Sequence, residues 1–165
     1  MASYHERMTD EVPWLDAHQQ DAWQKVVNLI STLPFALHRD LQSDAGLSLQ
    51  DYDVMARITE MPNSRARISE VGRALHWEKS RLSHHLTRME KRGLIRREEC
   101  ADDARGAFVS LTDDGWAAVV SAAPGHVRLV RALVFDQLSA AEVASLSAIL
   151  AKVLTRLDTH LDAAL

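Results

Sequence analysis

Hydrophobic residues recur at helical spacing along most of the chain, and breaks in this pattern separate successive helices. In residues 16–42 the apolar positions fit one long helix, which Pro34 is expected to kink or divide and Gly46 to end. Because the chain has only six glycines and four prolines, and β-branched runs are scarce, the pattern predicts a mostly helical protein.

A second helix is predicted to begin after Ser48. This serine is a suitable N-cap, and Asp51 supplies an acidic side chain to the first turn. The apolar pattern continues until Pro62, and residues 62–67 are interpreted as a loop. Two further helices are predicted in residues 68–75 and 78–92, and Gly93 is expected to end the second.

Two short strands and two helices complete the prediction. Residues 94–99 and 107–111 fit the strands of a hairpin, with the turn-forming segment CADDARG between them. Thr112 is the predicted N-cap of a long helix that Pro124 is expected to interrupt. Ser139 and Glu142 form a predicted capping box for a last helix that runs to about Leu161.

Composition agrees with a soluble globular protein. Of the 165 residues, 47% are hydrophobic and 25% are charged, which argues against collagen-like, disulfide-rich and wholly disordered classes. The sequence starts without a signal-like segment and has no apolar run near the length of a membrane span, so we expect a cytoplasmic protein. The only cysteine, Cys100, cannot form an internal disulfide.

Charge is distributed unevenly along the chain. Residues 64–111 carry eleven Lys/Arg and seven Asp/Glu, a local charge of +4, although the whole chain has a net charge of −4. The flanking segments therefore sum to −8. A basic middle between acidic ends is typical of a nucleic-acid-binding module between structural arms.

The helix predicted in residues 78–92 has two chemically different faces. Leu82, Leu86 and Met89 form a narrow apolar stripe. The opposite face offers hydrogen-bond donors and no acid, which suits the major groove of a duplex; its residues are Ser80, Arg81, His84, Thr87, Arg88 and Lys91. An ordinary solvated helix face is the alternative, although such a face usually mixes acidic and basic residues.

The hairpin is a second candidate contact. Its tip contains Asp103 and Arg105, and the carboxylate could orient the guanidinium for the minor groove. A plain surface turn is the alternative. Helix, turn, helix and hairpin in succession predict a winged helix-turn-helix module, here assigned to residues 47–112. Residues 1–46 and 113–165 are then the predicted N- and C-terminal dimerisation helices.

The stretch RISEVGRALHWEKSRLSHHLTRMEKRGLIRREECADDARGAFVSLTDDG, with the DxR tip and the LTDDG helix start, resembles the MarR family of transcriptional regulators. The resemblance extends over nearly the whole chain. It implies a homodimer with intertwined terminal helices that binds a pseudo-palindromic double-stranded DNA operator, most often as a repressor. It also assigns His85 to the recognition helix, with Ser80, Arg81, His84 and Arg88, and Arg105 to the wing.

Members of this family commonly bind small aromatic or anionic effectors between the dimer helices and the winged module. The residues near that junction are Trp23, Phe35, His38, Arg39, Tyr52, Met55 and Trp77. Aromatic walls with one or two cationic groups suit an aromatic anion. The alternative is that these side chains belong to the core of a helical dimer.

Other functions have weaker support from the residues. Arg96 and Arg97 could activate Cys100 for redox sensing, but a bystander thiol is the simpler interpretation. The histidines lack a metal-ligand spacing, and no catalytic or cofactor motif is found, so we expect neither a metal, a cofactor nor an enzyme. The alternative function is a helical dimer whose winged module binds another protein.

Overall fold

A computed structural model of the protein describes residues 13–99 and 107–162. The chain falls into two compact units, one ending at Ala36 and the other beginning at Leu37. The described part of the first unit is mainly the first two-thirds of helix α1 (Ala17–Ala45). Its large apolar side chains, including Trp23, Ile30 and Phe35, are exposed in the single chain.

Helix α1 is continuous, so of the two effects expected of Pro34, a kink or a division, the division is wrong. Proline removes the hydrogen bond to the carbonyl four residues earlier, here at Ile30. The side chain of Ile30 is exposed, so water can reach this part of the helix. Gly46 follows the helix with a φ of 63°, the left-handed conformation that glycine adopts without steric cost.

Helix α2 (Leu49–Glu60) begins at the predicted capping box. The Ser48 hydroxyl accepts from the Asp51 backbone N–H at 3.0 Å, and Asp51 Oδ2 accepts from the Ser48 N–H at 3.0 Å. Each side chain therefore satisfies a helix-terminal donor of the other residue.

The segment predicted as a loop contains a strand. After a short turn (Pro62–Ser64), β1 (Arg65–Arg67) pairs antiparallel with β3 (Ala107–Leu111), and β2 (Ile95–Glu99) pairs with the other edge of β3. The sheet order is β1-β3-β2. The two predicted hairpin strands are therefore confirmed, and the loop interpretation of residues 65–67 is wrong.

Helices α3 (Ile68–Leu75) and α4 (Lys79–Lys91) form the predicted helix-turn-helix. His76 ends α3 with a left-handed φ of 50°, and Gly93 follows α4 with a φ of 73°. The core of the winged module is apolar and drawn from all these elements; its fully buried large side chains include Val54, Met55, Ile58, Val71, Leu82, Leu86, Met89, Ile95 and Val109.

Helix α5 (Asp113–Val130) is capped by Thr112 as predicted and runs through Pro124 without the expected break. A π-helical turn (Arg131–Phe135) follows, and the capping box of Ser139 and Glu142 starts α6 (Ala140–Asp162). Proline is tolerated inside α5 because the carbonyl it leaves unpaired belongs to Val120, whose side chain is exposed.

One described stretch, Asp113–Phe135, is long and apolar enough on average to cross a membrane, with a mean hydropathy of 1.3. The sequence analysis did not expect such a segment. Gly115, Val119 and Ala122 in this stretch are buried within the protein, and Val119 and Ala122 belong to the hydrophobic core. Packing on the protein core therefore already accounts for part of its apolar character.

Candidate nucleic-acid interface

Helix α4 has one exposed face rich in hydrogen-bond donors. Ser80, Arg81, His84, Arg88 and Lys91 are exposed, and Thr87 is half-buried. Leu82, Leu86 and Met89 are buried on the opposite side, as the helical wheel predicts. The helix therefore presents a cationic surface on a rigid apolar base, which is the arrangement that a groove-reading helix needs.

His85 is the exception among the residues assigned to this face, because the structure buries it. Only 6% of its surface is exposed. Residue 85 lies three positions after Leu82 and four before Met89, which is the spacing of the core side of the helix. Its imidazole therefore does not share the outward direction of Ser80 and Arg88.

Asp51, a buried side chain, connects helix α2 to α4 through polar contacts. Its Oδ1 lies 3.1 Å from Nε2 of His85, and its Oδ2 accepts from Nη1 of Arg92 at 2.6 Å. Arg92 also donates from Nη2 to the Gly46 carbonyl at 2.9 Å. The sequence analysis identified Asp51 only as a first-turn acid and did not anticipate these contacts.

The environment of Asp51 keeps this carboxyl ionised. Burial opposes ionisation, but the contact with His85 and the hydrogen bonds from Ser48 outweigh it. Arg92 adds a further hydrogen bond, and the pKa of Asp51 is held well below its usual range. A buried charge is tolerated here because it is paired and hydrogen-bonded.

Arg97 attaches strand β2 to α4. Its Nη2 donates to the Thr87 hydroxyl at 2.8 Å and to the Ser83 carbonyl at 3.1 Å, and its backbone N–H donates to Glu90 Oε1 at 3.3 Å. The Thr87 hydroxyl in turn donates to the Ser83 carbonyl at 2.9 Å. Thr87 is therefore engaged within the protein, whereas the neighbouring exposed side chains are more accessible to a ligand.

A second group of arginines lies on the sheet. Arg65 and Arg67 are in the segment predicted as a loop, whereas Arg96 is in a predicted strand. The guanidinium of Arg65 lies 3.6 Å from the centroid of the Phe108 ring, and that of Arg67 lies 5.1 Å from it. Arg65 and Arg96 both donate to Glu98, at 2.9 and 3.3 Å. These contacts, led by the hydrogen bond from Arg65, lower the pKa of Glu98.

The predicted wing tip, with Asp103 and Arg105, lies outside the described residues, as does Cys100. The structure does describe both wing strands, β2 as far as Glu99 and β3 from Ala107 onwards.

The predicted effector residues have different environments. Trp23 and Phe35, in the first unit, are 54% and 67% exposed, and Arg39 is also exposed. Met55 is fully buried in the winged-module core, so the structure does not offer it to a ligand. Half-buried His38 accepts from the Leu49 N–H through Nδ1 at 3.3 Å.

Tyr52 packs against α5. Its ring centroid lies 4.4 Å from that of His126. Burial raises the pKa of Tyr52 and lowers the pKa of His126, so both groups favour the neutral form. Within the described ranges, no three His, Cys, Asp or Glu side chains are grouped as metal ligands.

Trp77 borders an open cleft of about 620 Å³ between the start of α2 and helix α4. Its ring lies edge-on to that of His85, with 5.2 Å between the ring centroids. The Arg81 guanidinium lies over the Trp77 ring, 4.4 Å from its centroid. Arg88 and Arg92 also line the cleft. An aromatic wall and three guanidinium groups therefore border one cleft beside the exposed face of α4.

Comparison with known proteins identifies the fold. The model of the MarR family matches residues 45–106. A MarR family transcriptional regulator from Streptomyces coelicolor, Sco3205, solved in complex with DNA, is 39% identical, with a TM-score of 0.83 over 88% of this chain and 91% of that one. A second regulator from that organism, AbsC, is 35% identical, with a TM-score of 0.85 over 90% and 99% of the two chains. The Mycobacterium tuberculosis regulator MOSR, solved with DNA, is 26% identical, with a TM-score of 0.63 over 82% and 96%. The resemblance seen in the sequence is thus confirmed, and the chain belongs to the MarR family of transcriptional regulators.

Proposed function

We propose that this protein is a homodimeric, sequence-specific DNA-binding transcriptional regulator. The observation that carries the proposal is the exposed face of α4, where Ser80, His84, Arg88 and Lys91 stand together without an acidic neighbour on that face. Arginine can contact guanine edges through two parallel hydrogen bonds, and the shorter side chains can reach bases or phosphates. The DNA complexes of Sco3205 and MOSR support the same use of the module.

Dimerisation is supported by apolar surface that a single chain leaves uncovered. On α6, Ile149, Leu150, Val153, Leu154 and Leu157 are each about half exposed. The apolar side chains of α1 noted above are similarly uncovered. Soluble monomers rarely expose such extended patches, so we assign residues 1–46 and 113–165 to dimerisation and residues 47–112 to DNA binding.

We further propose that the protein acts as a repressor of a pseudo-palindromic operator and is released by a small aromatic or anionic effector. The cleft bordered by Trp77, Arg81 and Arg88 has the chemistry that such a ligand requires. An anion bound there would compete with duplex phosphates and bases for the same guanidinium groups. It would therefore favour the unbound protein.

The proposal is tested by duplex binding at several salt concentrations, with operator sequences selected from a random pool. We expect log affinity to fall with log salt, with a slope of about −0.9 for each phosphate neutralised. Arg88→Ala and His84→Ala should change which sequences are preferred, and Arg105→Ala should weaken binding to all sequences. A flat salt response would instead favour a winged module that binds another protein.

Arg131→Ala is a matched control, because it removes the same charge from an exposed arginine outside α4 and the sheet. It should leave sequence preference unchanged. Equal losses on selected and random duplexes for Arg88→Ala would contradict a role in base recognition. A chain that sediments as a monomer at micromolar concentration would contradict the dimer.

A further inference from the structure

Behind the exposed face of α4, three side chains are in polar contact in series: Asp51, His85 and Arg88. Asp51 Oδ1 lies 3.1 Å from His85 Nε2, and Nδ1 of the same ring lies 3.0 Å from Nη2 of Arg88. Asp51 and His85 are buried, whereas Arg88 is exposed. These contacts therefore link the first turn of α2, through the imidazole of His85, to a side chain on the proposed DNA-contact face.

The partners of the imidazole determine which ring nitrogen carries the proton. An ionised carboxylate can only accept, so a proton on Nε2, the ring nitrogen that faces Asp51, is favourable. The two atoms are in close polar contact at 3.1 Å, without the angles of a hydrogen bond. A guanidinium has no acceptor, so Nδ1 must offer its lone pair to Arg88. A ring that carries its proton on Nε2 and leaves the lone pair of Nδ1 free suits both neighbours.

The ring itself has little freedom to turn. Trp77 meets it edge-on, with 5.2 Å between ring centroids and 90° between planes. Asp51 is fixed in turn by its capping box with Ser48 and by the hydrogen bond from Arg92. The acceptor offered to Arg88 therefore has a defined position, set by residues that do not lie on the exposed face.

We propose that Asp51 and His85 are positioning residues that hold the Arg88 guanidinium in one orientation before DNA binds, and so contribute to sequence preference without touching the duplex. The proposal rests on the proposed function of Arg88 in DNA recognition. One Nη2 hydrogen is used by His85, and the remaining donors stay available. Orienting a long side chain in advance reduces the entropy lost on binding and disfavours contacts that need another orientation.

A double-mutant cycle tests the proposal in the full-length protein. His85→Leu places an apolar side chain of similar size beside Trp77 and removes the acceptor for Arg88. We expect it to reduce the preference for selected over random duplex by about threefold to tenfold, the range associated with ordering one long side chain. In an Arg88→Ala background the same substitution should have no further effect, because the positioned group is absent. Met89→Leu, a volume-conserving change in the core of the same helix, is the matched control and should leave the preference unchanged.

Equal effects of His85→Leu with and without Arg88 would show that His85 acts only through general stability, and would overturn the proposal. The proposal would also be overturned if urea titration shows that the His85→Leu protein is folded and its preference for selected duplex is unchanged. As a second measurement, ¹⁵N chemical shifts of the histidine rings in the wild-type protein report the tautomer without any DNA. We expect His85 to carry its proton on Nε2, and a proton on Nδ1 alone would refute the proposed positioning of Arg88.

The two measurements separate this inference from the function on which it rests. A wild-type protein that binds no duplex refutes the proposed function, and with it the effect on sequence preference. The ring spectrum then still shows whether Nδ1 of His85 is available to hold Arg88. If the protein binds duplex but the His85 ring carries its proton on Nδ1, the positioning proposal is refuted and the proposed DNA binding is not.

Discussion

The junction between the wing sheet and α5 leaves no room for a side chain at Gly115. A Cβ built on this residue would lie 1.8 Å from the Leu94 carbonyl oxygen and 2.8 Å from its carbon. Real Cβ contacts are essentially never below 3.0 Å, so Gly115→Ala requires the two backbones to separate by more than an ångström. Both are held, because Thr112 donates its N–H to the Leu94 carbonyl at 3.2 Å and caps the Gly115 N–H at 2.9 Å.

The expected cost follows from these contacts. Forcing extra volume into a packed site costs about 1–3 kcal/mol, and a weakened hydrogen bond adds about 1 kcal/mol. Replacing a helical glycine returns up to about 1 kcal/mol. We therefore expect Gly115→Ala to lower the free energy of unfolding by about 1–3 kcal/mol, and Tm by roughly 2–12 °C for a chain of this size.

Urea and thermal unfolding measure this effect. All variants are compared at one protein concentration, because association would add to the apparent stability of a dimer. Gly125→Ala is the matched control. It lies in the same helix, and its Cβ would meet nothing closer than 3.6 Å. We expect this variant to gain up to about 1 kcal/mol. A Gly115→Ala protein within about 0.5 kcal/mol of wild type would refute the reasoning.

Three further outcomes are expected. Asp51→Asn should destabilise the protein at neutral pH. Because folding lowers the pKa of Asp51, the ionised carboxylate stabilises the folded state at pH values above 3.8, the pKa in the unfolded chain, and this stabilisation is lost as the pH falls further. The stability difference between wild type and Asp51→Asn in urea titrations should therefore narrow as pH falls below 3.8, and a constant difference would contradict the assignment. Leu86→Ala, at a fully buried position, should cost about 2–5 kcal/mol in the same assay. Ser139→Ala removes the cap of α6 and should cost about 1 kcal/mol, and an unchanged midpoint would argue against the capping box.

The elements that sequence analysis predicted correctly are those determined by neighbouring residues. Ser48 and Thr112 cap helices through side chains that reach three residues along the chain. The wing strands were recognised in the same way, from short apolar runs on either side of a turn-forming segment. Such local signals are complete within a window of a few residues.

The elements that it missed depend on distant partners. Strand β1 has only three residues, and it becomes a strand because Ala66 pairs with Val109. The inward direction of His85 could have been inferred from its spacing to Leu82 and Met89. Its contact with Asp51 could not, because the partner lies on another helix, and neither segment specifies the angle at which the two helices pack.

The bonds from Arg97 to α4 have a mechanical consequence. Because Arg97 of β2 is hydrogen-bonded to Ser83, Thr87 and Glu90, the base of the wing cannot shift along α4 without breaking several hydrogen bonds at once. Helix α4 and the base of the wing are thus expected to move as one rigid unit. Any change in the position of this unit must then come from hinges outside it.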